Sequence, residues 1–431
     1  MAEARKILLP ADEFPKTWYN IVPDIAKTGK KLAEPKDSGR LNRMKEYVAP
    51  SLLAQEKSGA IEVPIPDEVR IHLIRTGRPT PLQHAVRLES HLKTPAKIYY
   101  KREDIGYSTD SKLTTAVAQA YYVINDGFEK IVGGGGARWG TSLSIAATRI
   151  GLKCDFIMPQ SYLTLKEPHR ILMEVNKTNV FGSPSDLTEV GRKVKESKKY
   201  ETGNISLAMS EAVERAMEEK KSAFSFGYLF NFVMLHQTLS GVEAKRQFEM
   251  IDRYPDVVIC PIDDFGFALP FVADKLAGKK PETRFIVTQS KYVPVLTEGK
   301  LDYDHADYAE LTPLYRFHTL GRSFDPPMIH AGEMRYHGVP PILSHLVEAG
   351  IVEVRTYAQT ECFEASWEWC RQQGVIPSHE TQYVIKAVID EAVKAKEEGK
   401  EEVIVFNNAG HTMLESSGYL ELIVDKKLKL P

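Results

Sequence analysis

Cysteine is scarce: Cys154, Cys260, Cys362 and Cys370 are the four in 431 residues, and their spacing matches neither a zinc site nor a disulfide framework. We expect buried free thiols and no metal site. Long apolar runs are missing too. No stretch reaches the ~18 uninterrupted apolar residues of a membrane span, and the opening MAEARKILLPADEFPKTWYN has no apolar core of signal-peptide length. A cytoplasmic protein is the expectation. Neither sign of charge dominates, with 56 Lys plus Arg against 58 Asp plus Glu. No strong field therefore draws nucleic acid or an anionic membrane, and a small-molecule or protein partner is expected instead. Internal repeats and low-complexity tracts are also lacking.

What is present is ordinary globular composition, 43% hydrophobic and 26% charged, in a chain long enough for two or three cored domains. Residues 1–75 are Pro- and Lys-rich with little periodicity, and read as an arm wrapping the body. After them, short β-branched or aromatic runs (AKIYYK, EKIVGG, KCDFIMP, TNVFGS, DVVICPI, TRFIVTQ, IVEVRTY, EEVIVFNN) alternate with helical segments. In TTAVAQAYYVIN and HETQYVIKAVIDEAVKAKEEG the apolar residues recur at three and four. Alternation of this kind predicts an α/β fold of two three-layer domains with largely parallel sheets. We place the domains at 76–245 and 246–431.

Chemistry in such folds gathers in loops at strand ends. GGGGARWG, residues 133–140, leaves a strand and enters a helix. It lacks the lysine of a P-loop, and a run of glycines satisfies G-x-G-x-x-G by accident. Its glycines allow a sharp turn and N–H groups that face an anion, a carboxylate included, although a plain strand-to-helix turn explains the glycines about as well. Upstream, Asp110 and Ser111 are good helix caps ahead of an apolar helical run, which puts Lys112 on the first turn. The positive helix end there is expected to lower its pKa and so favour a nucleophile or base. A lysine so placed, facing a cleft, should cost chemistry rather than stability when removed.

Ordered segments along nearly the whole chain (LLPADEFPKTWYN, GRPTPLQHAVRLE, PSDLTEVGRKV, LHQTLSGVEAKRQ, PPMIHAGEMRYHGVPPILSHL, VIVFNNAGH) resemble the second-type tryptophan synthase β chains. The resemblance implies the fold type II architecture, a homodimer, and pyridoxal phosphate as the cofactor for joining serine and indole. It places the Schiff-base lysine on Lys112, with Ser111 and Thr114 where a histidine and an asparagine help hold the cofactor. It makes Gly134, Gly135, Gly136, Ala137 and Arg138 the loop for the substrate carboxylate. Gly133 falls where a catalytic glutamate is expected, and glycine cannot move a proton. Arg138 replaces glutamine and is expected to pair with a carboxylate of the substrate, or else to sit at the surface.

The implied glycine-rich phosphate loop is replaced by DDFGFALP. Asp263 and Asp264 would each oppose a phosphate by on the order of 2 to 3 kcal/mol at close range. The bland alternative has both capping the next helix and facing water. The serine implied for the pyridine nitrogen falls on Ala409, leaving Asn408 as a substitute, and an implied acid falls on Gln373. Glu380 reads as a helix-start acid, and His330, Arg335, Tyr336 and His337 as packing and loop residues. Losses confined to cofactor and proton-transfer positions, on an otherwise family-like scaffold, point to a cleft put to a new use. We expect an enzyme acting without pyridoxal phosphate on a small carbonyl or carboxylate compound. Lys112 would serve as base or Schiff-base former, and Asp263 and Asp264 as acid–base partners. The alternatives are a pyridoxal-phosphate β-replacement lyase and a non-catalytic partner subunit.

Overall fold

Strands such as Val257–Pro261 carry apolar side chains on both faces, which in a twisted parallel sheet means burial on both sides. The computed structural model, which describes residues 5–108, 110–410 and 414–424, has this arrangement. Val258 and Cys260 pack into one apolar cluster, Val257 and Ile259 into another, as the two-residue period requires. The sheet has seven strands in the order Lys6–Ile7, Leu82–His84, Lys97–Arg102, Val403–Asn408, Val257–Pro261, Arg284–Ser290, Val352–Tyr357. The first two pairings are antiparallel and the rest parallel. A second, wholly parallel sheet runs Thr178–Ser183, Lys153–Pro159, Lys130–Gly134, Ser222–Ser225.

Two assignments of the sequence differ from this. Strands Leu82–His84 and Lys97–Arg102, assigned above to the 76–245 domain, pair into the large sheet. Lys97–Arg102 runs parallel to Val403–Asn408, and Ile98 and Tyr100 join Ile404 and Phe406 in one apolar cluster on the same face of the large sheet. Residues 5–75 are also more regular than read, with helices at Val22–Lys27, Ser38–Tyr47, Pro50–Glu56 and Asp67–Arg75. These turns are too short to show a clear period. Trp18, Tyr47, Leu52 and Leu73 sink into the core of the smaller sheet, beside the helix Lys112–Asn125. Cys154, Cys260 and Cys362 are buried free thiols, and Cys370, on the helix Gln359–Gln373, is half-buried. No described helix is long and apolar enough to cross a membrane.

Side chains next to strand ends of both sheets meet at one place: Arg138 after Gly134, Asp263 and Asp264 after Pro261, and Asn407 near the end of its strand join Asp110 and Ser111 through ion pairs and hydrogen bonds.

Candidate active site

Lys112 opens the helix Lys112–Asn125, as its spacing predicts. The N-cap residue is Ser111, which makes no side-chain cap bond, and Asp110 just before it accepts the Lys112 N–H through Oδ1 at 2.9 Å. The Ser111 hydroxyl donates instead to Asp264 Oδ2 at 2.6 Å. Thr114 turns back to the Ser111 carbonyl at 2.6 Å. The Lys112 side chain is buried, with Nζ 3.0 Å from Asp263 Oδ2 and 3.1 Å from the Asp263 carbonyl oxygen. Burial pulls its pKa down, but the charges of Asp263, Glu333 and Asp110 prevail and raise it above the ordinary lysine value. The expected lowering is therefore reversed. A helix end contributes about half a charge, whereas several carboxylates face this ammonium.

Arg138 lies on the first turn of the helix Ala137–Ile150. It is buried, not a surface residue. Its Nε donates to Asp110 Oδ2, and its Nη1 lies 2.9 Å from Glu380 Oε2 and 3.3 Å from Asp263 Oδ2. Three of the protein's own acids thus share its charge, while its Nη2 is buried with no hydrogen-bond partner among the described residues. Glu380 in turn accepts the Glu333 N–H at 2.9 Å. The helix His379–Glu398 is capped by Ser378, so capping does not account for Glu380.

Asp263 and Asp264 follow the strand Val257–Pro261 and are buried, not solvated caps. Burial pushes the Asp263 carboxyl up, but Lys112 and Arg138 outweigh it and hold the group below its usual range. Asp264 is pushed up to about 8, mainly by burial and further by Asp263 and Asp110, against the opposing Lys112. Its Oδ2 also accepts from the Asn407 amide. Asn407, not Asn408, faces this cluster, because neighbours on a strand point to opposite sides. Asn408 is buried with neither amide atom partnered among the described residues.

In the glycine loop, Gly135 has φ +140°, a conformation side chains rarely adopt. A Cβ on Gly133 would collide with Leu143 and lie 2.8 Å from Phe156, and one on Gly136 would collide with the Glu333 carboxylate. Glu333, in the turn Gly332–Met334, accepts the backbone N–H of Arg138 at 2.9 Å and of Trp139 at 3.3 Å through Oε1. Burial pushes its carboxyl up to about 7. Beside it, Gly134, Gly135, Gly136, Tyr228 and Asp263 line a cavity of about 20 Å³, room for about one water. A separate groove of about 730 Å³ beside Glu189, Lys193 and Tyr308 shares no residue with this cluster. His337 is tied to Ser206 and the His305 carbonyl, Arg335 to the carbonyls of Pro326 and Pro327, and His330 to Glu421.

Sequence reasoning missed Glu333, Asn407 and the ion-pairing of Asp110. The signal for Glu333 was a lone acid beside a glycine in the otherwise apolar and basic IHAGEMRYHG.

A buried lysine at a helix start, facing a glycine loop across two α/β sheets, defines a fold type II enzyme architecture. Solved structures of an L-serine ammonia-lyase from Rhizomucor miehei and a threonine deaminase isoform from Solanum lycopersicum share this fold. Their TM-scores are 0.59 and 0.58 at 13% and 15% identity, over 79% and 91% of this chain and 97% of each of theirs. The profile described as pyridoxal-phosphate dependent enzyme matches residues 73–410. Tryptophan synthase beta chain 2 of Pyrococcus furiosus is 41% identical, over 97% of this chain and 95% of its own. The tryptophan synthase beta chain of Pyrococcus horikoshii is 40% identical, over 98% and 93%. The chain belongs to the pyridoxal-phosphate dependent enzyme family, on its tryptophan synthase β branch.

Proposed function

We propose that the chain is an enzyme acting in this cleft on a small carbonyl or carboxylate compound, with its own side chains and without pyridoxal phosphate. The observation that carries the reading is the Lys112–Asp263 contact at 3.0 Å. A lysine that condenses with an aldehyde must present a neutral amine, and the carboxylates of Asp263, Glu333 and Asp110 around the buried Lys112 favour the ammonium instead. Asp264 supports the same reading: a phosphate there would meet a buried carboxyl where it needs N–H donors. Gly266, the lone glycine of that stretch, is packed against Gln237 and Met234. On this reading the Lys112 ammonium donates to the substrate carbonyl oxygen. Glu333, titrating near neutrality, moves the proton. The reading includes a homodimer, which light scattering tests.

A second reading, a pyridoxal-phosphate lyase of the tryptophan synthase β type, is favoured by the 41% identity and by the retained Lys112. Titrating the purified protein with pyridoxal phosphate and following the aldimine absorbance separates the two. The first reading expects no saturable band; the second expects one at micromolar cofactor, together with tryptophan formation from serine and indole.

A further inference from the structure

The amides that open the helix Ala137–Ile150 already hold a carboxylate, and it belongs to the chain itself. Glu333 Oε1 takes the N–H groups of Arg138 and Trp139. The turn that delivers it is pinned twice, by Glu380 on the Glu333 N–H at 2.9 Å and by the Tyr162 hydroxyl on the Gly332 carbonyl at 2.8 Å. Gly136 makes the space, since any Cβ there would strike the Glu333 carboxylate. Glu333 Oε1 occupies the exposed donors of this helix N-terminus and, while its carboxyl is ionised, also complements the helix dipole. A second carboxylate entering the same place would lose those donors and confront Glu333 and Asp263 together. Across the same cavity, the buried Asp263 keeps Oδ1 without a partner among the described residues, an acceptor in want of a donor.

We propose that Glu333 is a specificity-determining residue: it fills the amide cradle in cis, so that the cleft rejects carboxylate-bearing molecules and takes a small uncharged or cationic carbonyl compound with a hydrogen-bond donor for Asp263. The substrate half of this statement rests on the function proposed above and narrows it from carbonyl or carboxylate compounds to carbonyl compounds. The binding half concerns Glu333 and the helix amides alone.

The test is thermal denaturation of the full chain with increasing sodium formate, against sodium chloride at equal ionic strength. Formate should give the wild type no specific stabilisation. Glu333→Ala, which empties the cradle, should be stabilised saturably, with formate bound about tenfold or more tighter than by the wild type. Glu333→Gln, which keeps an oxygen acceptor in place, should behave as the wild type. If Glu333→Ala does not fold, Glu333→Ser carries the same expectation. Saturable stabilisation of the wild type by formate overturns the proposal, and needs no variant. A lack of formate-specific response in both folded truncations overturns it as well. Because the titration omits pyridoxal phosphate, its failure is distinct from failure of the cofactor-free reading, which appears as an aldimine band in the wild type.

Discussion

Lys112→Met should destabilise the protein as well as silence it, contrary to what a cleft-facing first-turn lysine suggests. The ammonium is buried 3.0 Å from Asp263 Oδ2, and without it that carboxylate keeps, among the described cations, only Arg138 at 3.3 Å, itself shared with Asp110 and Glu380. Removing one partner of a buried pair costs about 3 to 5 kcal/mol. Converting the orphan to an amide should recover part of this, so Lys112→Met with Asp263→Asn should be less destabilised than the sum of the single variants. The coupling should be about 1 to 3 kcal/mol. Urea denaturation of all four proteins supplies the cycle. The sign with pH is also fixed. The Asp263 carboxyl is held below its unfolded value of 3.8, so the pair's contribution is complete above that pH and lost as pH falls through the lower folded value. The gap between wild type and Lys112→Met should therefore be full at neutral pH and shrink below about pH 4. A coupling under about 0.5 kcal/mol, the scatter expected of independent sites, would refute the reasoning.

Asp264 titrates the other way: its folded pKa, near 8, lies above the unfolded 3.8, so ionising it destabilises the fold. Asp264→Asn should gain on the wild type as pH rises from about 4 to about 8 in denaturation midpoints; a constant difference contradicts this. Gly133→Glu should not restore tryptophan formation, and should lower stability by about 1 to 3 kcal/mol or more, because its Cβ collides with Leu143 and crowds Phe156; a variant as stable as the wild type refutes the steric account. Trp18→Ala should cost about 3 to 5 kcal/mol, since Trp18 is part of the main core, and a loss under 1 kcal/mol would return residues 5–75 to the status of a detachable arm.

The α/β class was legible because short β-branched or aromatic runs alternate with segments whose apolar residues recur at three and four from Lys97 onward. Sheet membership was not. Lys97–Arg102 reads the same whether it joins the nearer or the farther sheet, and only the long-range pairing with Val403–Asn408 decides. At the site, Lys112 and the glycine loop stood out through capping residues and composition. The partners of Arg138 were hidden because Asp110, Asp263 and Glu380 come from three distant segments, and an acid at a helix start looks like a cap until its neighbour is seen to cap instead. Sequence reasoning judged Lys112 by the helix end beside it. Its charge state is set by carboxylates that lie 151 and more residues away as well as by Asp110.

The account stands most directly on the charge of Lys112. In protein with labelled lysine side chains, the Lys112 signal is assigned by its absence from Lys112→Met and followed by NMR as pH rises. The account predicts that Lys112 remains an ammonium at pH 10.5, where an ordinary lysine is half titrated. Half-titration of Lys112 below that pH would contradict it and return the residue to the role of a free amine.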